Sequence, residues 1–194
     1  MKIYLASGNI NKKKEVQELL PEHKIVLPKE ENIEFDPEET GSSFFENSMI
    51  KAEALYNIVK APVLADDSGL CIDFLNGAPG VHSARYGSLD GEHVSAEAGI
   101  IKVLAELKGV KERSARFVCC MILLLDKNRF YSVQETCEGC ITEKPAGSGG
   151  FGYDPIFFVE KFGKTFAELK PEEKNSVSHR GRALASISKF ISSL

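Results

Sequence analysis

Apolar positions recur along this chain with two different periods, and the changes of period mark its elements. Lys2 to Ala6 is a short apolar run, Ser7-Gly8-Asn9 interrupts it, and Val16, Leu19 and Leu20 then share one helical face. This predicts a strand, a turn and a helix. Ser43 to about Val59 predicts a second helix, because Ser43 and Glu46 have capping-box spacing and Phe45, Met49, Ala52, Tyr56 and Val59 form an apolar stripe. Val63 to Leu75 alternates apolar with acidic positions, which predicts a strand, a break at Asp66-Asp67-Ser68-Gly69 and a second extended piece. A loop rich in Gly and Pro over 76–91 precedes a third helix expected over 92–108, with Ile101, Leu104 and Leu107 inward and Gly109 as its stop.

Past that point a period of two takes over. Arg116 to Leu125 and Phe130 to Ile141, parted by Asp126-Lys127-Asn128, read as a long hairpin. A glycine-rich loop, 147–152, leads through Tyr153-Asp154-Pro155 into the apolar run Ile156 to Val159. The last helix is expected from about Ser178, burying Leu184, Ile187, Phe190, Ile191 and Leu194. With no repeat or linker in between, the pattern predicts one α/β domain over residues 1–194.

Composition narrows the function classes. The 194 residues are 43% hydrophobic and 27% charged, the balance of a globular protein whose core needs no disulfide staples. Twenty-four basic against 28 acidic residues leave a net charge of −4, which argues against a nucleic-acid partner while leaving a local basic pocket open. The apolar run Phe117 to Leu125 is far short of a membrane helix, and MKIYLASGN carries no signal-peptide run. A cytoplasmic protein with no membrane partner is the expectation. Cys119, Cys120, Cys137 and Cys140 fall in strand-like segments with Cys71 elsewhere, so reduced core thiols are the simplest reading.

Four segments carry candidate chemistry. The turn Ser7-Gly8-Asn9-Ile10-Asn11-Lys12 opens a helix, and Lys12, Lys13 and Lys14 lie in its first turn, where the helix dipole disfavours cations. Either a phosphate binds there or these are solvated lysines. Glu38-Glu39 and Asp66-Asp67 place carboxylates side by side, which calls for a cation; magnesium suits hard oxygen ligands, although an aspartate turn is the alternative. Residues 147–152 match GxGxxG, but a turn and strand follow where the dinucleotide fingerprint needs a helix, so the loop reads better as a display of Phe151, Tyr153 and Asp154. Ser178-His179-Arg180-Gly181-Arg182 again puts cations at a helix start, and a ligand carrying acceptors would explain them; Lys51 and Lys174 add isolated positive charge. Cys137-Glu138-Gly139-Cys140 has the spacing of half a zinc site, yet Cys119 and Cys120 point to opposite faces of a strand; His82 and His93 have no evident partners.

Taken together, SGNxxK at 7–12, EETGxxFxEN ending at Asn47, ADDSGL from Ala65, GAPGVxSARY ending at Tyr86, GGFGYDPIF ending at Phe157 and SHRG from Ser178 closely resemble the inosine triphosphate pyrophosphatase family, the XTP/dITP diphosphatases. Ser48 stands where that family often has alanine. The resemblance implies an elongated, two-lobed, mixed-sheet α/β fold with the substrate in a cleft between lobes, and a homodimer. It implies magnesium-dependent hydrolysis of the purine nucleoside triphosphates ITP, dITP and XTP to the monophosphate and pyrophosphate. By motif position, Glu39 and Asp67 would hold Mg2+, and Asp67 would also be the catalytic base for water. Ser7, Gly8, Asn9, Ile10, Asn11, Lys12, Lys51 and Ser68 would bind the triphosphate or sugar, while Phe151, Gly152, Tyr153, Asp154, Lys174, His179 and Arg180 would surround the base. A related septum-inhibition-type pyrophosphatase fits the SHRG and FGYDP blocks less well. A nucleotide sensor without turnover would leave the acidic pair idle.

Overall fold

The structure, a computed structural model, describes residues 1–88 and 95–193. The expected helix start at 92, His93 and Leu194 lie outside these residues. In chain order the elements are β1 (Lys2–Leu5), α1 (Ile10–Leu19), β2 (Lys24–Val26), α2 (Phe44–Val59), β3 (Val63–Ile72), α3 (Ala96–Glu106), β4 (Ser114–Asp126), β5 (Arg129–Ile141), β6 (Phe157–Val159), β7 (Lys164–Thr165), α4 (Pro171–Val177) and α5 (His179–Ser192), with short 3₁₀ turns between them. Seven strands form one mixed α/β sheet in the order β2-β1-β3-β4-β5-β6-β7. β1 pairs parallel with β2 and β3, whereas β5 with β6 and β6 with β7 are antiparallel. The parallel pairs need crossovers, which α1 and α2 supply.

The chain divides into two compact units, the first made of 1–67, 119–135 and 179–194, the second of 68–118 and 136–178. In the first, the alternation of β4 sorts its side chains onto two faces. Cys119, Met121 and Leu123 join Ile3, Leu5, Val16, Leu184 and Ile187 in one cluster, which α1 and α5 cover; Ile122 and Leu124 join Tyr4, Val63, Ala65, Ala52 and Leu55 in the other, beneath α2. The second unit packs Phe117, Phe157 and Phe166 with Leu70, Val103 and Ile141. The Phe117 and Phe157 ring centroids are 4.7 Å apart, a tilted aromatic contact.

Three expectations need correcting. β3 runs unbroken through Asp66-Asp67-Ser68-Gly69. α3 buries Gly99, Ile100 and Val103; Leu107 is buried and Leu104 packs against the core as the apolar pattern predicts, but Ile101 is exposed. On α2 the buried face is Asn47, Ser48, Lys51, Ala52 and Leu55, and Phe45 is exposed. Polar side chains hold the inward positions that hydropathy alone would deny them.

Candidate active site

In the first unit, four elements converge on the Asp66-Asp67 pair. Successive residues of a strand point to opposite faces, so the two carboxylates diverge and each meets its own cations. Asp67 Oδ1 lies 3.0 Å from Lys51 Nζ, and Glu39 Oε1 lies 3.0 Å from the same nitrogen. Asn47, one turn before Lys51 on α2, donates from Nδ2 to Asp67 Oδ2 at 3.3 Å and accepts the Gly41 N–H on Oδ1 at 2.8 Å. A Cβ on Gly41 would fall 2.6 Å from Asn47 Oδ1, so glycine is what lets the Glu38-Glu39 segment lie against α2. The helix start is fixed by Ser43, whose Oγ accepts the Glu46 N–H at 3.2 Å, and Glu46 reaches back to the Ser42 N–H at 2.7 Å. The Ser48 hydroxyl donates to the Cys120 carbonyl at 2.8 Å, which satisfies a serine buried between α2 and β4.

Burial raises the Asp67 carboxyl above its ordinary range; Lys51 opposes that shift, and the nearby Glu39 charge adds to it. Burial works against the Lys51 ammonium, but Asp67, Asp66 and Glu39 more than offset it and hold the lysine above its usual value. A buried ammonium that carboxylates hold charged marks a cation-binding position.

Asp66 faces the other way. Its Oδ1 lies 3.0 Å from Lys12 Nζ and its Oδ2 3.3 Å from Arg180 Nη2, while Arg180 Nη1 donates to Glu15 at 2.6 Å. Arg180 is buried at the start of α5 beside His179, so the negative charge that its helix position calls for comes from Asp66 and Glu15. The first turn of α1 is also partly spoken for. Asn9 Oδ1 accepts the N–H groups of Asn11 and Lys12 at 2.9 and 3.3 Å, Ser7 Oγ accepts that of Asn9 at 3.0 Å, and Lys13 is paired with Glu30 at 2.5 Å. The turn therefore presents Lys12 and the exposed Gly8 and Ile10 rather than a row of bare amides.

In the second unit, the loop before β6 is clasped from within. Asp154 Oδ2 accepts the Phe151 N–H at 2.7 Å and the Lys174 Nζ at 2.7 Å, and that ammonium sits 4.9 Å from the Phe151 ring centroid. No helix follows the glycine run, only a 3₁₀ turn and β6, as the sequence pattern requires. The Tyr153 hydroxyl donates to the Ser83 carbonyl at 2.8 Å, and Ser83 Oγ accepts the Leu70 N–H at 2.9 Å, two residues beyond Ser68. Phe151, Tyr153, Asp154 and Lys174 thus form one preset group with Gly152 in its loop.

The Ham1 family model matches residues 3–190. The chain belongs to the Ham1 family. A curated relative from Treponema denticola named dITP/XTP pyrophosphatase is 84% identical over 191 residues, covering 98% of both chains. A solved Ham1 protein from Coxiella burnetii aligns over 100% of each chain at TM-score 0.89 and 42% identity, and one from Staphylococcus aureus over 100% and 99% at 0.88 and 38%. The mixed seven-stranded sheet of this Ham1-family chain is that of its solved neighbours.

Sequence reasoning missed Asn47 and Glu15 as members of this cluster, and it singled out Asp66 without its Arg180 partner. Asn47 was detectable as the residue four positions before Lys51 on one helix face; Glu15 and Asp66 pair with Arg180 across sequence separations that no local pattern reveals. A magnesium ion fits the donors at Glu39 and Asp67: both offer hard carboxylate oxygens already directed at one cation. Among the described residues no group of three or more His, Cys, Asp or Glu could hold a metal. Two carboxylates with the remaining positions left to water and phosphate is how magnesium is usually held. The five cysteines are free thiols, with Cys119, Cys120 and Cys137 buried.

Proposed function

We propose that this chain hydrolyses the deaminated purine nucleoside triphosphates ITP, dITP and XTP to the monophosphate and pyrophosphate, with magnesium, as a cytoplasmic homodimer. The observation that carries the reading is the Glu39–Lys51–Asp67 arrangement, in which two carboxylates converge on one cation at 3.0 Å. The names of the relatives point to the same reaction.

Glu39 and Asp67 would hold the metal, which when bound neutralises phosphate charge. Asp67 takes a proton from the attacking water, helped by a carboxyl that burial makes more basic than usual. The water oxygen bonds to the α-phosphorus as the bond from that phosphorus to the bridging oxygen breaks, leaving the monophosphate and releasing pyrophosphate. Lys12 and Lys51 receive the charge of the triphosphate, with Ser7, Gly8, Asn9, Ile10, Asn11 and Ser68 positioning it or the sugar; phosphoryl chemistry depends mainly on such placement and charge. Phe151 stacks on the purine, and Gly152, Tyr153, Asp154, Lys174, His179 and Arg180 set its surroundings. A 6-oxygen accepts from donors there, whereas the 6-amino group of adenine does not, a difference that sites built on hydrogen bonds can amplify by orders of magnitude.

The test is pyrophosphate release from ITP, XTP, GTP and ATP at equal concentration, with magnesium and with EDTA. Selective, metal-dependent release from ITP and XTP is expected. Orthophosphate as the product, or turnover indifferent to EDTA, overturns the reading.

A further inference from the structure

The two adjacent aspartates each hold one of the two lysines assigned above to the triphosphate: Asp66 holds Lys12 at 3.0 Å and Asp67 holds Lys51 at 3.0 Å. The pairs are not equivalent. Asp66 keeps a second partner in Arg180, at 3.3 Å, so moving Lys12 onto a phosphate leaves Asp66 neutralised. Asp67 and Glu39 share Lys51, and Asp67 also accepts from the uncharged Asn47 amide. Moving Lys51 away leaves two carboxylates facing a vacated cation position, with Asp67 buried. Two such charges without a counterion are strongly disfavoured.

We propose that Lys51 fills the magnesium position between Glu39 and Asp67 in the free protein and gives it up only when phosphate draws the ammonium off. The inference rests on the assignment of Glu39 and Asp67 as metal ligands made above. Lys51 is then a competitor of the metal before substrate binds and a ligand of the substrate afterwards. Metal and triphosphate load together, because each makes room for the other, and the coupling is reciprocal. The same asymmetry explains why the metal would go to Asp67 and not to its neighbour: Asp66 already meets both Lys12 and Arg180.

A substrate lysine that plays no part in metal access would weaken nucleotide binding on replacement and leave the metal alone. The proposal demands changes of opposite sign. Lys51→Gln keeps a hydrogen-bond donor between the carboxylates and removes only the charge. Free Mn2+ measured by electron paramagnetic resonance in nucleotide-free solution should show the variant binding the ion on the order of tenfold more tightly than wild type. Its melting temperature should rise more than that of wild type on adding Mg2+, since a ligand of the folded state stabilises in proportion to its affinity. ITP should bind the variant at least about tenfold more weakly. Lys51→Met is the second variant should the first not fold, with the same readouts. Equal or weaker Mn2+ binding by a folded variant, judged by circular dichroism, overturns the inference while leaving the reaction intact. Wild-type protein that neither releases pyrophosphate from ITP nor needs a divalent ion overturns the parent reading, and this inference with it.

Discussion

Lys174 donates to Asp154 Oδ2 at 2.7 Å, and the same oxygen accepts the Phe151 N–H at 2.7 Å, so one buried carboxylate sets both an ammonium and a loop. Gly150 makes the clasp possible: it adopts φ +71°, and a Cβ there would lie 2.0 Å from Asp154 Oδ2. Asp154→Ala takes away the carboxylate that neutralises the buried Lys174 ammonium at 2.7 Å, at a cost of about 3–5 kcal/mol. Urea unfolding should show that loss, and KM for ITP should rise on the order of tenfold or more as Phe151 loses its register. Gly150→Ala should do the same through strain and steric clash. Unchanged urea midpoint and KM would show that the clasp does nothing.

Asp67→Asn conserves shape and removes the charge that accepts a proton and faces Lys51. Turnover of ITP should fall by roughly 10²- to 10⁴-fold, with the circular dichroism spectrum retained, because Lys51 keeps Glu39 as a partner at 3.0 Å. A near-wild-type kcat at saturating magnesium would refute the assigned role.

Local chemistry made some of this molecule legible and hid the rest. The β1 turn into α1, the Ser43 cap and the long hairpin of β4 and β5 follow from short-range patterns, and each is present. The α2 stripe was incomplete rather than misplaced: Met49, Ala52, Tyr56 and Val59 meet the core, but Asn47 and Lys51 share the buried face, where polar side chains are tolerated only with partners from distant segments. The Asp66-Asp67 pair looked like a break for the same reason: its cations arrive from α1, α2 and α5, so the strand can continue. α4 had a readable start, a proline at its first position followed by Glu172 and Glu173, but the segment is too short for periodicity to reveal.

The Arg180 guanidinium is paired with two carboxylates of the first unit, so its loss should be felt in folding. Arg180→Ala takes the guanidinium away from Glu15 and from Asp66, a carboxylate 2% exposed that Lys12 also meets at 3.0 Å. A loss of about 3–5 kcal/mol in denaturant unfolding is expected. Arg180→Lys should recover only part of it, since an ammonium cannot span both carboxylates as the planar fork does. Wild-type stability in the alanine variant would show that Lys12 alone suffices for Asp66.

The thiols should be inert in the native protein. Burial, with the Asp67 charge nearby, pushes the Cys120 thiol up to about 11, and burial also raises Cys71 and Cys140. Titration with an aromatic disulfide reagent at pH 8 should find Cys71 and Cys140 reacting slowly. Cys119, Cys120 and Cys137 should react only after unfolding, for a total of five. A thiol modified within seconds in the folded protein would contradict this.

Alkaline stability offers a check on the second unit. Burial, reinforced by the hydrogen bond of its hydroxyl to Glu106 at 2.7 Å, pushes Tyr86 from 10.0 up to about 12. A group whose folded value is raised contributes stability that is whole below its unfolded value and is lost as pH climbs through the folded one. The Tyr86 contribution should therefore be intact below pH 10 and vanish by about pH 12. Absorbance at about 295 nm should show a late-titrating tyrosine that is absent from Tyr86→Phe, and the variant should lose stability less steeply across that interval. Identical slopes for the two proteins would mean that Tyr86 is ionised as readily in the fold as in the open chain.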